Sequence, residues 1–211
     1  MGFDLTGLSP TINTEYSQEY NDILKLYGDE GMLNWSMDIP EATKDRYFEL
    51  KDQFQEDNPG DYFRNNVWWW RPLWNFVCES CDDFLTEGDI SKGFYNDGKK
   101  ISKTKSLKIS KRLSKLIANG TVDKLERESA LAIAKAKVHN KEVRKEMDAI
   151  SVACQKEHGE IKAPAYYPEP YKTEWNDAYA KEDWTSSYPF NADNVKVFAL
   201  FCQQSGGFEI S

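Results

Sequence analysis

From Val122 to Glu157 the sequence contains neither glycine nor proline, and this uninterrupted stretch limits what the chain can fold into more than any other feature. Within it Val143, Met147, Ile150 and Cys154 recur at steps of four, three and four, the spacing that lines apolar side chains along one face of an α-helix. At 1.5 Å per residue a helix over 121–158 reaches roughly 50 Å, which is long for one domain. It must project, break near His139-Asn140, or pair with a second copy of the chain.

Other segments also read as helical. Over 101–119 the residues Ile109, Leu113, Leu116 and Ile117 share one narrow arc, with Ser102 and Ser106 beside them, and Asn119-Gly120 is a stop signal. A helix starting at Pro40 carries Tyr47, Phe48 and Phe54 and ends before the breaker cluster Asn58-Pro59-Gly60. A shorter one fits Tyr20 to Leu26. Near the end, Asn191 caps a helix in which Val195, Phe198, Phe201 and Cys202 share a face, closed by Ser205-Gly206-Gly207. The residues Phe3–Leu5 and Phe208–Ile210 suit short strands that can pair with each other. The expected fold class is therefore mainly α with a minor β element of two or three strands. It is an irregular helical single domain, 1–211, with one long helix. Residues 11–60 form an acidic, turn-rich segment. Residues 159–190 form an irregular one, where Pro164, Pro168, Pro170 and Pro189 alternate with Tyr and Trp whose rings are expected to lie on the helices.

Charge narrows the function. The 27 basic and 35 acidic residues leave a net charge of −8, which makes nucleic acid an unfavoured partner. The distribution is polar: acids dominate before residue 64, whereas 99–115 holds Lys99, Lys100, Lys103, Lys105, Lys108, Lys111, Arg112 and Lys115 and no acid. Docking of the acidic region on the basic helix would account for both blocks. The alternatives are a solvated basic face or one that lies along nucleic acid. Mean hydropathy of −0.72 and the absence of any apolar run near the ~18 residues of a spanning helix exclude a bilayer-crossing helix. The first residues lack the basic flank and apolar stretch of a signal peptide, so a cytoplasmic location is expected. The four cysteines then read as thiols or metal ligands rather than disulfides.

Three clusters are candidate sites. The segment from Tyr62 to Trp74 combines Trp68, Trp69 and Trp70 with Arg64, Arg71, Asn65 and Asn66. The rings can stack a planar group, the guanidinium groups can hold an anion and the amides can supply edge hydrogen bonds. Because Pro72 disfavours a helical Arg71, the tryptophans are expected on an extended lead-in to a helix from Pro72 to about Leu85. Trp68 and Trp70 would then face one side, as core, and Trp69 the other. Second, Gly93 to Lys100 nearly spells a phosphate-binding loop but has Lys100 where the magnesium-holding hydroxyl belongs. Asn96, Asp97 and Lys99 remain candidate contacts for an anion at this glycine-rich turn. Third, Cys78, Cys81, Cys154 and His158 could make a tetrahedral zinc site if their helices met, although structural thiols are the expected reading and no cofactor is assigned. With two histidines there is little material for a His-centred triad, and the carboxylates form no pair of telling spacing.

The start Gly2-Phe3-Asp4-Leu5-Thr6-Gly7, the string Tyr62-Phe63-Arg64-Asn65-Asn66-Val67-Trp68-Trp69-Trp70-Arg71-Pro72-Leu73-Trp74, the Asn96-Asp97-Gly98 loop and the stretch from Tyr188-Pro189-Phe190 through Ser205-Gly206-Gly207-Phe208-Glu209-Ile210 resemble a group of uncharacterised small proteins of tailed bacteriophages. The resemblance covers about half of the chain. Members of that group carry a zinc-ribbon-like Cys-x-x-Cys-x-Gly insertion after the long helix, whereas this chain has the Pro- and Tyr-rich stretch 159–190 there. The resemblance implies a phage product acting in the host cytoplasm. The expected function is a non-enzymatic accessory protein that binds a host protein or a small anionic ligand through Arg64, Asn65, Asn66, Trp69, Arg71, Asn96, Asp97 and Lys99. A metal-dependent enzyme on nucleotides or nucleic acid, with Asp97 or a neighbouring carboxylate as base or ligand, is the alternative. A structural protein forming a homo-oligomer through the 121–158 helix is a third.

Overall fold

A computed structural model describes residues 2–211 and shows a mainly α chain with a small antiparallel sheet. The chain read above as one domain divides into two compact units: the first comprises 1–121 and 192–211, the second 122–191.

The first unit is organised by four strands, β1 (Gly2–Gly7), β4 (Tyr62–Asn66), β5 (Lys99–Ser102) and β6 (Gly207–Ile210), in the order β4-β1-β6-β5. The chain ends do pair, with Leu5 opposite Ile210 and Thr6 opposite Glu209. The start of the tryptophan segment supplies an edge strand, with Asp4 opposite Arg64. Alternation along the strands turns Phe3, Leu5, Phe63, Ile101, Phe208 and Ile210 inward, all buried. Helices α3 (Val67–Ser80), α5 (Lys103–Ala118) and α8 (Ala192–Gln204) cover that face. The buried residues Ile109 and Leu113 of α5, and Val195, Phe198, Phe201 and Cys202 of α8, are the stripes expected from sequence. A short helix α4 (Glu87–Lys92) opens the loop before β5.

The tryptophan segment corrects the expectation of an extended lead-in. Helix α3 starts at Val67 and passes through Pro72. The Asn66 side chain caps it, accepting from the backbone N–H groups of Trp68 (3.0 Å) and Trp69 (3.1 Å). An interior proline costs about 3 kcal/mol. Against this, Trp70 and Trp74, one turn apart, are both fully buried and stacked at 5.2 Å, and each buried indole is worth about 3–5 kcal/mol. Packing therefore overrides the local preference. The core face runs Trp70, Leu73, Trp74, Val77 and Cys81, while Trp68 is 43% exposed and Trp69 half-buried.

The 11–60 segment builds its own small cluster. Helices α1 (Gln18–Tyr27) and α2 (Glu41–Asp57), with the two-residue strands β2 (Gly28–Asp29) and β3 (Met32–Leu33), enclose Tyr20, Leu33, Ile39 and Tyr47. The Asn58 side chain, fully buried, joins the end of α2 to the preceding loop by accepting from the backbone of Asn13 (2.6 Å) and Thr14 (3.1 Å).

In the second unit α6 (Thr121–His158) runs unbroken through His139-Asn140. Short 3₁₀ turns at Pro164–Tyr166 and Trp184–Ser187 flank α7 (Tyr171–Tyr179), so 159–190 has more regular structure than its prolines suggested. Tyr167 is buried and Tyr171 and Trp175 are half-buried, but Tyr166, Tyr179 and Trp184 remain exposed. No helix among the described residues is long and apolar enough to cross a membrane.

Candidate binding site

The residues expected to form a single site have separate duties. Arg64 points from the outer face of the sheet and pairs with Asp4 across the strand at 3.4 Å, beside Tyr62, whose hydroxyl also donates to Asp4. Asn65 points the other way and donates to Asn194 of α8 at 3.1 Å, and Asn194 in turn donates to the Trp69 carbonyl at 3.4 Å. Asn66 is a helix cap. Arg71 is exposed on α3. Asn96 donates to the Gly2 carbonyl, which ties its loop to β1, and Asp97 is exposed.

The glycine-rich loop is shaped by tryptophan packing rather than by phosphate. A Cβ on Gly93 would lie 2.1 Å from the Trp74 indole, and the Gly93 carbonyl accepts from Trp70 Nε1 at 2.8 Å. Lys99, the cation of the would-be phosphate loop, is consumed by Asp89 at 2.8 Å. Asp89 is 3% exposed and also receives Lys105, the Thr86 backbone (3.0 Å) and the Thr86 hydroxyl (2.8 Å). Burial disfavours its charge, but hydrogen bonds from Lys105, Lys99 and Thr86 outweigh that and hold its carboxyl well below the usual range.

The expected docking of the acidic region on the basic helix is corrected in the same way. The basic block finds its acids elsewhere: Lys99 and Lys105 on Asp89, Arg112 on Asp83 at 2.9 Å, and Lys100 on Glu209 at 3.3 Å. Within 11–60, Arg46 binds Glu19 at 2.7 Å and Glu49 at 2.9 Å. Half of the basic block is paired in this way, and among the described residues no ion pair joins the block to the region before residue 64.

The thiols are buried. Cys78 and Cys81 are each pushed up to about 12 by burial, and burial also holds Cys202 well above the usual thiol range. Cys154 is buried in the second unit, where His158 meets Tyr171 edge-on. Among the described residues no three His, Cys, Asp or Glu side chains are grouped so as to hold a metal ion.

What the fold does assemble is a groove along the outer edge of β4. The strand order leaves that edge without a neighbouring strand. Asp52, Gln55 and Glu56 of α2 form one wall, and Asn194, Val197 and Leu200 of α8 form the other. Tyr62, Phe63 and Arg64 lie between them around a volume of about 620 Å³. Val197 and Leu200 are 53% and 41% exposed. Of these residues only Arg64 was singled out from sequence as a contact. The signal that could have found the rest is the second, outward apolar pair on α8, one turn apart and off the buried stripe.

No protein-family model, curated protein or solved structure matches the chain.

Proposed function

We propose that the chain is a non-enzymatic binding protein that takes up an extended segment of a partner protein along the open edge of β4. The carrying observation is that this edge lies in a groove between two helices. An uncovered edge strand presents backbone donors and acceptors that a second strand can complete. The wall residues supply selectivity: Val197 and Leu200 favour apolar side chains, and Asp52 and Glu56 favour lysine or arginine. The resemblance to the tailed-phage group adds the setting, a host protein met in the infected cell's cytoplasm. An enzyme built on Asp97 has less support, because that residue stands exposed on a loop.

A random-peptide selection against the full chain is expected to return segments in which apolar residues alternate with lysine or arginine. Their binding should protect the Arg64 amide, which points away from β1 toward the open edge while Phe63 and Asn65 bond Leu5 and Phe3, from hydrogen exchange. The double substitution V197K/L200K should abolish binding and leave thermal melting unchanged. Bound peptides that leave the Arg64 amide unprotected would reject the proposal.

One observation favours self-association as a second reading. Leu131, Val138 and Val152 are exposed on α6 at multiples of seven residues, a seam that a second helix can cover. A solution mass that stays monomeric at every concentration would reject it.

A further inference from the structure

The second unit contains a groove of the opposite charge. Lys137, Lys141, Arg144, Lys145 and Asp148 of α6 line a volume of about 510 Å³ with Asn140 and Ser186. The charged positions advance by four, three, one and three residues, which keeps them on one side of the helix, next to its buried stripe. The floor is built by Asn140, buried on α6. It donates to the Asp183 carbonyl at 2.9 Å and to the Ser186 hydroxyl at 3.3 Å, and accepts from the Asp183 N–H at 2.8 Å. These bonds hold the 183–186 segment against α6 and seat the Ser186 hydroxyl in the groove.

The charge there is unbalanced. Arg144 reaches Glu182 at 3.2 Å and Lys145 reaches Glu142 at 2.8 Å, but among the described residues neither Lys137 nor Lys141 has an acid within 4.0 Å. Lys137, Lys141 and Lys145 are like-charged neighbours at successive i, i+4 positions, an arrangement that costs stability in the free protein. A polyanion in the groove would remove that cost. The cations span roughly 12 Å from Lys137 to Lys145, so a single phosphate would meet only part of the row, and the lining includes no aromatic ring on which a base could stack.

We infer that this groove binds a linear oligophosphate, two or three linked phosphoryl groups, recognised through its phosphates and not through any attached base. The inference is independent of the β4 groove, since it concerns a different unit and different residues.

Titration calorimetry of the full chain with sodium tripolyphosphate, at about 50 and about 200 mM salt, tests it. Tripolyphosphate should bind at the lower salt and weaken steeply at the higher. Adenosine and guanosine triphosphates should bind equally well, and inorganic phosphate at least about tenfold more weakly. The double substitution K137Q/K141Q should weaken tripolyphosphate by about tenfold without lowering the melting temperature, whereas K111Q/K115Q on the basic helix α5 should have no effect on binding. The inference is overturned if tripolyphosphate fails to bind at low salt, if K137Q/K141Q binds it like the wild type, if K111Q/K115Q is the variant that loses it, or if the two nucleotides differ. It is also overturned if only an oligonucleotide binds.

Discussion

Replacing Asp89 by asparagine isolates the most heavily bonded carboxylate in the first unit. Its two oxygens receive Lys99, Lys105 and two groups of Thr86, so one side chain joins the start of α4 to β5 and α5. Asparagine keeps the size but removes the charge, and its NH2 group puts a donor in place of one of the two oxygens that accept from Lys99 and Lys105. Breaking a buried pair by removing one partner costs about 3–5 kcal/mol. Because the Lys99 and Lys105 side chains keep 20% and 28% of their exposure, water relieves part of the loss, and about 3 kcal/mol is expected. In thermal melting that corresponds to about 6–12 °C. The pH dependence checks the cause. A carboxyl whose folded pKa is depressed contributes stability that is complete above its unfolded value, near 3.9, and is lost as pH falls toward the folded value. Urea unfolding should therefore show a constant gap between wild type and D89N above about pH 5, narrowing by about 1 kcal/mol at pH 3. That narrowing depends only on the unfolded pKa, provided the folded one lies well below 3. A gap below about 1 kcal/mol at neutral pH, or one that does not narrow in acid, would refute the reasoning.

The remaining expectations concern the tryptophan helix and the thiols. Trp70→Ala should cost about 3–5 kcal/mol in urea unfolding and Trp68→Ala less than about 1, and equal losses would contradict the placement of the helix. At pH 8 a disulfide reagent should leave the thiols of the native protein unmodified, because all four are buried and Cys78 and Cys81 are pushed up to about 12 by burial, and should modify them all in denaturant; rapid labelling of the native protein would show that the interior opens.

The parts legible in the sequence are those where periodicity and stop signals agree. The stripes of α5 and α8, the unbroken run of α6 and the pairing of the end strands all have that character. The tryptophan segment was misread because the pre-proline rule is local, whereas the burial of Trp70 against Phe3 and Phe198, with Trp74 stacked on it, is a tertiary effect. The spacing Trp70, Leu73, Trp74, Val77 was already helical and was the better guide. The candidate site was less legible. Lys99 and Asn96 looked like ligand contacts because sequence shows the residue type but hides its partner, here Asp89 and the Gly2 carbonyl. The β4 groove depends on which strand becomes an edge, which no local pattern encodes.

The sheet order has a consequence for how the protein is made. Its two central strands, β1 and β6, come from opposite ends of the chain. The residues of the second unit form one continuous stretch that can organise as soon as it leaves the ribosome, but β1 must wait for its β6 partner until Phe208 and Ile210 have been synthesised. At about 5–20 residues per second that wait lasts on the order of 10–40 s, during which the β6 side of β1 offers a template to any passing strand, its other side being taken by β4. Ribosome-bound chains stopped before β6 should therefore be the aggregation-prone form of this protein, and its yield should depend on chaperone supply more than on the stability of the finished fold.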